Sequence, residues 1–102
     1  MYTQITTADY QEAIEKTEEG ILLCSKKLCP HCKNMGKVME KFAAKKPNVK
    51  LLTVDSEDEP DVMKAIDAER VPTIIVIKGG KIVAQKTGLM NPKDLDNFYT
   101  NA

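Results

Sequence analysis

Two continuous apolar runs, Ile21-Leu22-Leu23-Cys24 and Ile74-Ile75-Val76-Ile77, constrain this chain most. Both are strand-sized and well short of the roughly 18 residues a membrane helix needs. Neither offers a polar residue to water on alternate positions, so each reads as a strand covered on both faces. The remaining chain has to supply two covering layers. Tyr10, Ala13, Ile14 and Thr17 recur at helical spacing, and so do Met35, Met39, Phe42 and Ala43, and Val62, Met63 and Ile66. Thr7 is the expected N-cap of the first helix and Gly20 its stop. Pro30 opens a second helix, which Pro47 and Asn48 end. Pro60 opens a third, expected over residues 60–69, and Asn91 with Pro92 caps a last one packed through Leu95 and Phe98. Short strands are expected over residues 2–6 and 49–54. The strand at 73–77 joins one at 81–87 through a hairpin at Gly79 and Gly80.

The resulting order is β-α-β-α-β-α-β-β-α, an α/β fold. Strands separated by helices imply right-handed parallel crossovers, and the hairpin adds an antiparallel pair. A mixed central sheet with helices on both faces follows. With 102 residues and no repeat or linker, a single domain over 1–102 is expected. The 15 basic and 15 acidic side chains cancel, which leaves no global field for nucleic acid or an anionic membrane. At 5% aromatics and no Trp, base-stacking platforms are not expected either. Residues 1–20 lack the basic and apolar stretches of a secretory leader, so a cytoplasmic chain is expected. Charge is uneven locally: residues 26–50 carry eight lysines against Glu40, and residues 55–69 carry seven acids against Lys64.

In a reducing compartment, three cysteines read as buried, metal-bound or catalytic rather than as a structural framework. Cys29-Pro30-His31-Cys32 falls where a buried strand meets a helix. Two intervening residues on a helical turn bring the sulfurs within disulfide reach. The first sulfur lies among unpaired helix N–H groups at the positive end of the macrodipole, which favours thiolate. His31, and Lys26, Lys27 and Lys33, add positive charge. Cys32, one turn inside, is expected to be more buried and less acidic. That asymmetry makes Cys29 the nucleophile on a disulfide and Cys32 the resolving thiol, with His31 tuning Cys29. A zinc site wants four Cys or His ligands, and three Cys with one His wedged between two of them is too poor a set, so no metal is expected. Cys24 reads as a core residue.

At these positions the chain resembles the thioredoxin superfamily over nearly its whole length. The resemblance rests on the Cys-Pro-His-Cys motif after a hydrophobic strand and on Val71-Pro72-Thr73 opening a later strand. It also rests on the Gly79 and Gly80 hairpin and on Gly88 before the last helix. The length and the additional N-terminal strand and helix are similar to thioredoxin rather than to the shorter glutaredoxins. The Pro30-His31 pair resembles that of the Dsb-type periplasmic disulfide oxidant. The resemblance implies the thioredoxin fold, a cis Val71-Pro72 bond facing the cysteines, and pairing of the Val71 backbone with an extended substrate. Leu28, Pro30, Val71, Pro72, Thr73 and Gly88 are thereby expected to border a substrate groove. The chain departs from the family at Leu28, where a tryptophan is usual, and at Leu23 and Leu51, where a buried acid and its lysine partner are usual. The helix-kinking proline is also missing, with Gly36 and Lys37 in its region.

The expected function is a protein-disulfide oxidoreductase, a monomer without a bound cofactor. It would take protein disulfides as substrates and a thioredoxin reductase or glutathione as electron donor. A glutathione-dependent, glutaredoxin-like reductase and a non-catalytic binding module of the same fold are the alternatives.

Overall fold

The computed structural model describes residues 2–102. Its elements are β1 (Tyr2–Gln4), α1 (Tyr10–Glu15), β2 (Glu19–Ser25), α2 (Pro30–Ala44), β3 (Lys50–Asp55), α3 (Pro60–Ala65), β4 (Thr73–Lys78), β5 (Lys81–Thr87) and α4 (Pro92–Asn101). The five strands form one mixed sheet in the order β1-β3-β2-β4-β5. β1, β3 and β2 run parallel, β4 runs antiparallel to β2, and β5 antiparallel to β4. The two apolar runs are thus adjacent central strands, Leu22 opposite Ile75 and Leu23 opposite Ile74.

Alternate residues of those strands feed two separate cores, as the two-residue period of a strand requires. Leu22, Cys24, Ile75 and Ile77 face Ile14 of α1 and Val62, Met63 and Ile66 at α3. Ile21, Leu23, Ile74 and Val76 face Met35, Met39 and Phe42 of α2 and Leu95 and Tyr99 of α4. Both sheet faces are covered, as the continuous runs demanded. Among the described residues no helix is long and apolar enough to cross a membrane.

Several local expectations are corrected. Asp9, not Thr7, precedes the first turn of α1, and its carboxylate accepts hydrogen bonds from the backbone N–H and the hydroxyl of Thr6. Gly20 lies inside β2, not at the end of α1. A Cβ there would stand 2.5 Å from Thr17 Cγ2 and 3.0 Å from the Lys50 carbonyl, so close packing accounts for the glycine. α3 stops at Ala65 because Asp67 turns left-handed (φ 58°), a conformation that aspartate tolerates better than most residues. Strand β3 sits one residue later than expected. On α4 the buried residues are Leu95 and Tyr99, four apart on one face, while Phe98 is half-buried. The Tyr99 ring meets Phe42 edge-on at 5.2 Å between centroids, joining α4 to α2. The cap of α4 is as the sequence suggests: Asn91 accepts from the Asp94 N–H at 2.8 Å.

Candidate active site

The register of the sheet assembles the site. β2 ends at Ser25, and the chain then crosses residues 26–28 into α2. Cys24 is paired with Thr73, so the antiparallel start of β4 lies beside the end of β2. Residues 71 and 72 are therefore carried to the end of the sheet where α2 begins. The Val71-Pro72 peptide bond is cis. The same sheet end receives the close of β5, because Thr73 is paired with Thr87.

Cys29 is the N-cap of α2, with an extended backbone, and Pro30 follows in the first turn. Proline suits that position because its missing N–H would have no helical partner. Cys29 and Cys32 form a disulfide, with 5.2 Å between their Cα atoms. The Cys29 sulfur also accepts the Cys32 backbone N–H at 3.2 Å, the hydrogen bond that an N-cap side chain makes. Cys29 is half-buried and Cys32 is 4% exposed. Of the two residues, Cys29 is thus the more accessible and Cys32 the more sheltered.

Around the pair, Leu28 is 92% exposed, an unusual position for so large an apolar side chain. With Lys27, Cys29, Pro30 and Lys33 it borders a shallow depression of about 460 Å³. His31, Lys26 and Lys33 are exposed. The three expected lysines are not equivalent. Lys27 pairs with Asp58 at 3.3 Å, and that carboxylate, through its hydrogen bond and its charge, raises the Lys27 pKa. The acidic segment after β3 reaches the site because the Ser56 N–H donates to the Ser25 carbonyl at 2.7 Å. Asp55 then holds the turn by accepting from the N–H groups of Glu57 and Asp58. Part of the positive charge near Cys29 is thus already matched.

The residues expected to border a groove differ in exposure. Pro72 and Thr73 are buried, so neither side chain is part of an open rim. The Thr73 hydroxyl donates to the Arg70 carbonyl at 2.5 Å and lies 3.1 Å from the Thr87 hydroxyl, while the Gly88 N–H donates to the Pro72 carbonyl at 2.9 Å. Thr73 and Gly88 therefore brace the 70–73 turn. The exposed apolar residues at this end are Leu28, Pro30 and Leu89, with Val71 half-buried. Leu89 is not among the residues the sequence analysis singles out, although a leucine directly after Gly88, outside any periodic segment, is a usable signal.

Beneath the motif, Leu23 and Leu51 are both 4% exposed and pack in the α2 core with Met35 and Met39. No carboxylate or ammonium stands at those two positions. The Tyr2 hydroxyl donates to the Gly36 carbonyl at 2.6 Å, tying β1 to the middle of α2. Burial, and then the Glu40 charge, raise the Tyr2 phenol above its ordinary range, so it remains a neutral donor. Cys24 is free and fully buried in the opposite core. Burial pushes its thiol from 9.0 up to about 12.

That value gives a direct expectation. In the reduced protein at about pH 8, iodoacetamide should label Cys29 and leave Cys24 unlabelled until the chain is unfolded. Native labelling of Cys24 at a comparable rate would contradict its burial. The folded thiol keeps its proton to about pH 12, whereas the unfolded chain releases it near 9.0. The folded state therefore binds more protons in that window, and this contribution to stability declines as pH rises through it.

Comparison with known proteins agrees with the geometry. The thioredoxin family model matches residues 1–101. The reduced-form solution structure of desulfothioredoxin from Desulfovibrio vulgaris Hildenborough is similar at a TM-score of 0.86 and 40% identity, covering 97% of this chain and 96% of that one. A thioredoxin of Chlamydia trachomatis is 36% identical over 70 residues, 69% of this chain and 66% of its own length. Monothiol glutaredoxin-4 of Schizosaccharomyces pombe is 30% identical over 98 residues, 93% of this chain but 40% of its own length. The chain thus spans less than two thirds of the length of these two curated relatives.

Proposed function

The chain belongs to the thioredoxin family, and from that membership we propose that it is a thiol–disulfide oxidoreductase acting on protein disulfides. The observation that carries this reading is the disulfide-linked cysteine pair at the start of α2, with Cys29 half-buried at the N-cap and Cys32 buried one turn in. In the reduced protein, the Cys29 thiolate attacks one sulfur of a substrate disulfide. A Cys29–substrate disulfide forms, and the first substrate thiolate leaves. Cys32 then loses its proton and attacks the Cys29 sulfur. The Cys29–Cys32 disulfide closes and the second substrate thiolate departs, so two electrons have passed to the substrate. A flavoenzyme reductase or glutathione returns them. The backbone N–H of Cys32, already aimed at the Cys29 sulfur, together with the positive end of α2, stabilises the thiolate that starts the cycle.

Docking falls to the apolar side chains left open at this sheet end: Leu28, Pro30, Leu89 and the half-buried Val71. Trapping tests the scheme. Cys32→Ser should accumulate mixed disulfides between Cys29 and protein partners, visible as bands that dithiothreitol releases. A Cys32→Ser protein that forms none, while still consuming a disulfide substrate, would remove the resolving role.

His31 sets the finer reading, a motif of Dsb type. Together with Lys26 and Lys33, which pair with no carboxylate among the described residues, it favours the Cys29 anion, which stabilises the reduced form and makes the disulfide more oxidising. The expected potential lies between that of typical thioredoxins, about −270 mV, and that of the periplasmic oxidant, about −120 mV. His31→Ala should move it toward the thioredoxin value. An equilibrium with glutathione that gives the same potential for both proteins would count against His31 as the tuning residue.

A further inference from the structure

The far end of α2 carries a second feature that the disulfide chemistry does not use. A cavity of about 770 Å³ opens between the end of α2 and the start of α4, lined by Phe42, Ala44, Pro92, the lysines 41, 45, 46 and 93, and Asp96. Its size falls in the range of small-molecule sites, about 300–1,000 Å³. Its floor is apolar, and the lysine stems extend that surface outward. Lys46 is matched by Asp96 at 3.4 Å and lies 5.6 Å from the Phe42 ring centre. Among the described residues, Lys41, Lys45 and Lys93 pair with no carboxylate.

Cations near the end of α2 have an ordinary explanation, since the negative helix end favours them. Lys93 has none. It sits in the first turn of α4, the end of a helix where a cation is disfavoured. Its charge therefore adds to a positive rim that the two helices alone do not require. An apolar floor beside three ammonium groups, Lys41, Lys45 and Lys93, that pair with no carboxylate among the described residues is complementary to one class of ligand.

We propose that this cavity binds an amphiphilic organic anion of fatty-carboxylate type. The chain of the ligand lies over Phe42, Ala44 and Pro92, and its carboxylate meets Lys45 and Lys93. The site lies about 20 Å along α2 from Cys29, at 1.5 Å per residue, and is separate from the disulfide chemistry.

The test is an amide-resolved NMR titration of the full chain with decanoate, and in parallel with decyltrimethylammonium, both below their micelle concentrations. Decanoate should produce saturable shifts centred on Phe42, Ala44, Lys45 and Lys93, and the cation should not. Lys45→Glu with Lys93→Glu should weaken decanoate binding about tenfold, while Lys45→Arg with Lys93→Arg should retain it. All four substitutions are at exposed positions, and the unperturbed part of each spectrum reports that the fold is kept. Three results would overturn the proposal: shifts centred on Leu28 and Leu89, equal binding of the cation, or Glu variants that keep wild-type affinity. Absence of saturation by about 5 mM would do the same.

Discussion

Cys29→Ser is expected to lower insulin disulfide reduction by more than about 10³-fold, with little change in the unfolding midpoint relative to the reduced wild-type protein. The two halves of that expectation have separate causes. A serine hydroxyl is not ionised near neutrality and cannot form the mixed disulfide, so the first electron-pair transfer is lost. Serine is nevertheless a good N-cap, and its oxygen can accept the N–H that the Cys29 sulfur accepts now. The start of α2 is therefore kept while its chemistry is removed. Activity within about tenfold of wild type would transfer the nucleophilic role to another thiol. Cys24 is a poor candidate, being fully buried on the other side of the sheet.

The second large effect concerns the hairpin. Gly80→Ala should cost about 2–4 kcal/mol, measured as a shift in the urea midpoint, whereas Gly79→Ala should cost about 1 kcal/mol. Both glycines have positive φ, 60° and 76°, so both substitutions carry the left-handed penalty. They differ in surroundings. A Cβ on Gly79 meets nothing within 4 Å, while one on Gly80 would stand 2.6 Å from the Glu15 carbonyl oxygen. That oxygen belongs to the backbone at the end of α1 and cannot rotate away. The turn is further held by N–H donation from Gly79 to the Glu18 carbonyl and from Gly80 to the Thr17 carbonyl. Relieving the clash would pull the hairpin away from the α1–β2 connection. Equal costs at the two positions would mean that the turn shifts freely and that this contact is dispensable.

The elements with the densest local signals are legible in the sequence alone. β2 and β4 announced themselves as unbroken apolar runs, and α2 and α4 through proline in the first turn and helical spacing. The position of Cys29 at a helix start followed from the same pattern. Features decided by distant partners were not legible. Whether Pro72 and Thr73 face outward depends on Arg70, Thr87 and Gly88 closing around them, which no local pattern encodes. The engagement of Lys27 with Asp58 depends on β2 lying beside β3. The early end of α3 came from one left-handed aspartate, which a helical spacing of apolar residues conceals. On α4, Phe98 and Tyr99 are adjacent aromatics, and only the position of α2 decides which of them turns inward.

The outermost strand has a consequence of its own. Among the described residues β5 has one neighbour, β4, and its Ile82 and Val83 are exposed. Its free edge is a ready template for unwanted strand addition. Lys81 and Lys86 stand near its two ends, and the pairing with β4 slips at Val76 and Ile77. A second copy approaching that border in antiparallel fashion would bring ammonium against ammonium over an uneven ladder, so self-templated fibre growth from this side is discouraged by repulsion and misfit together.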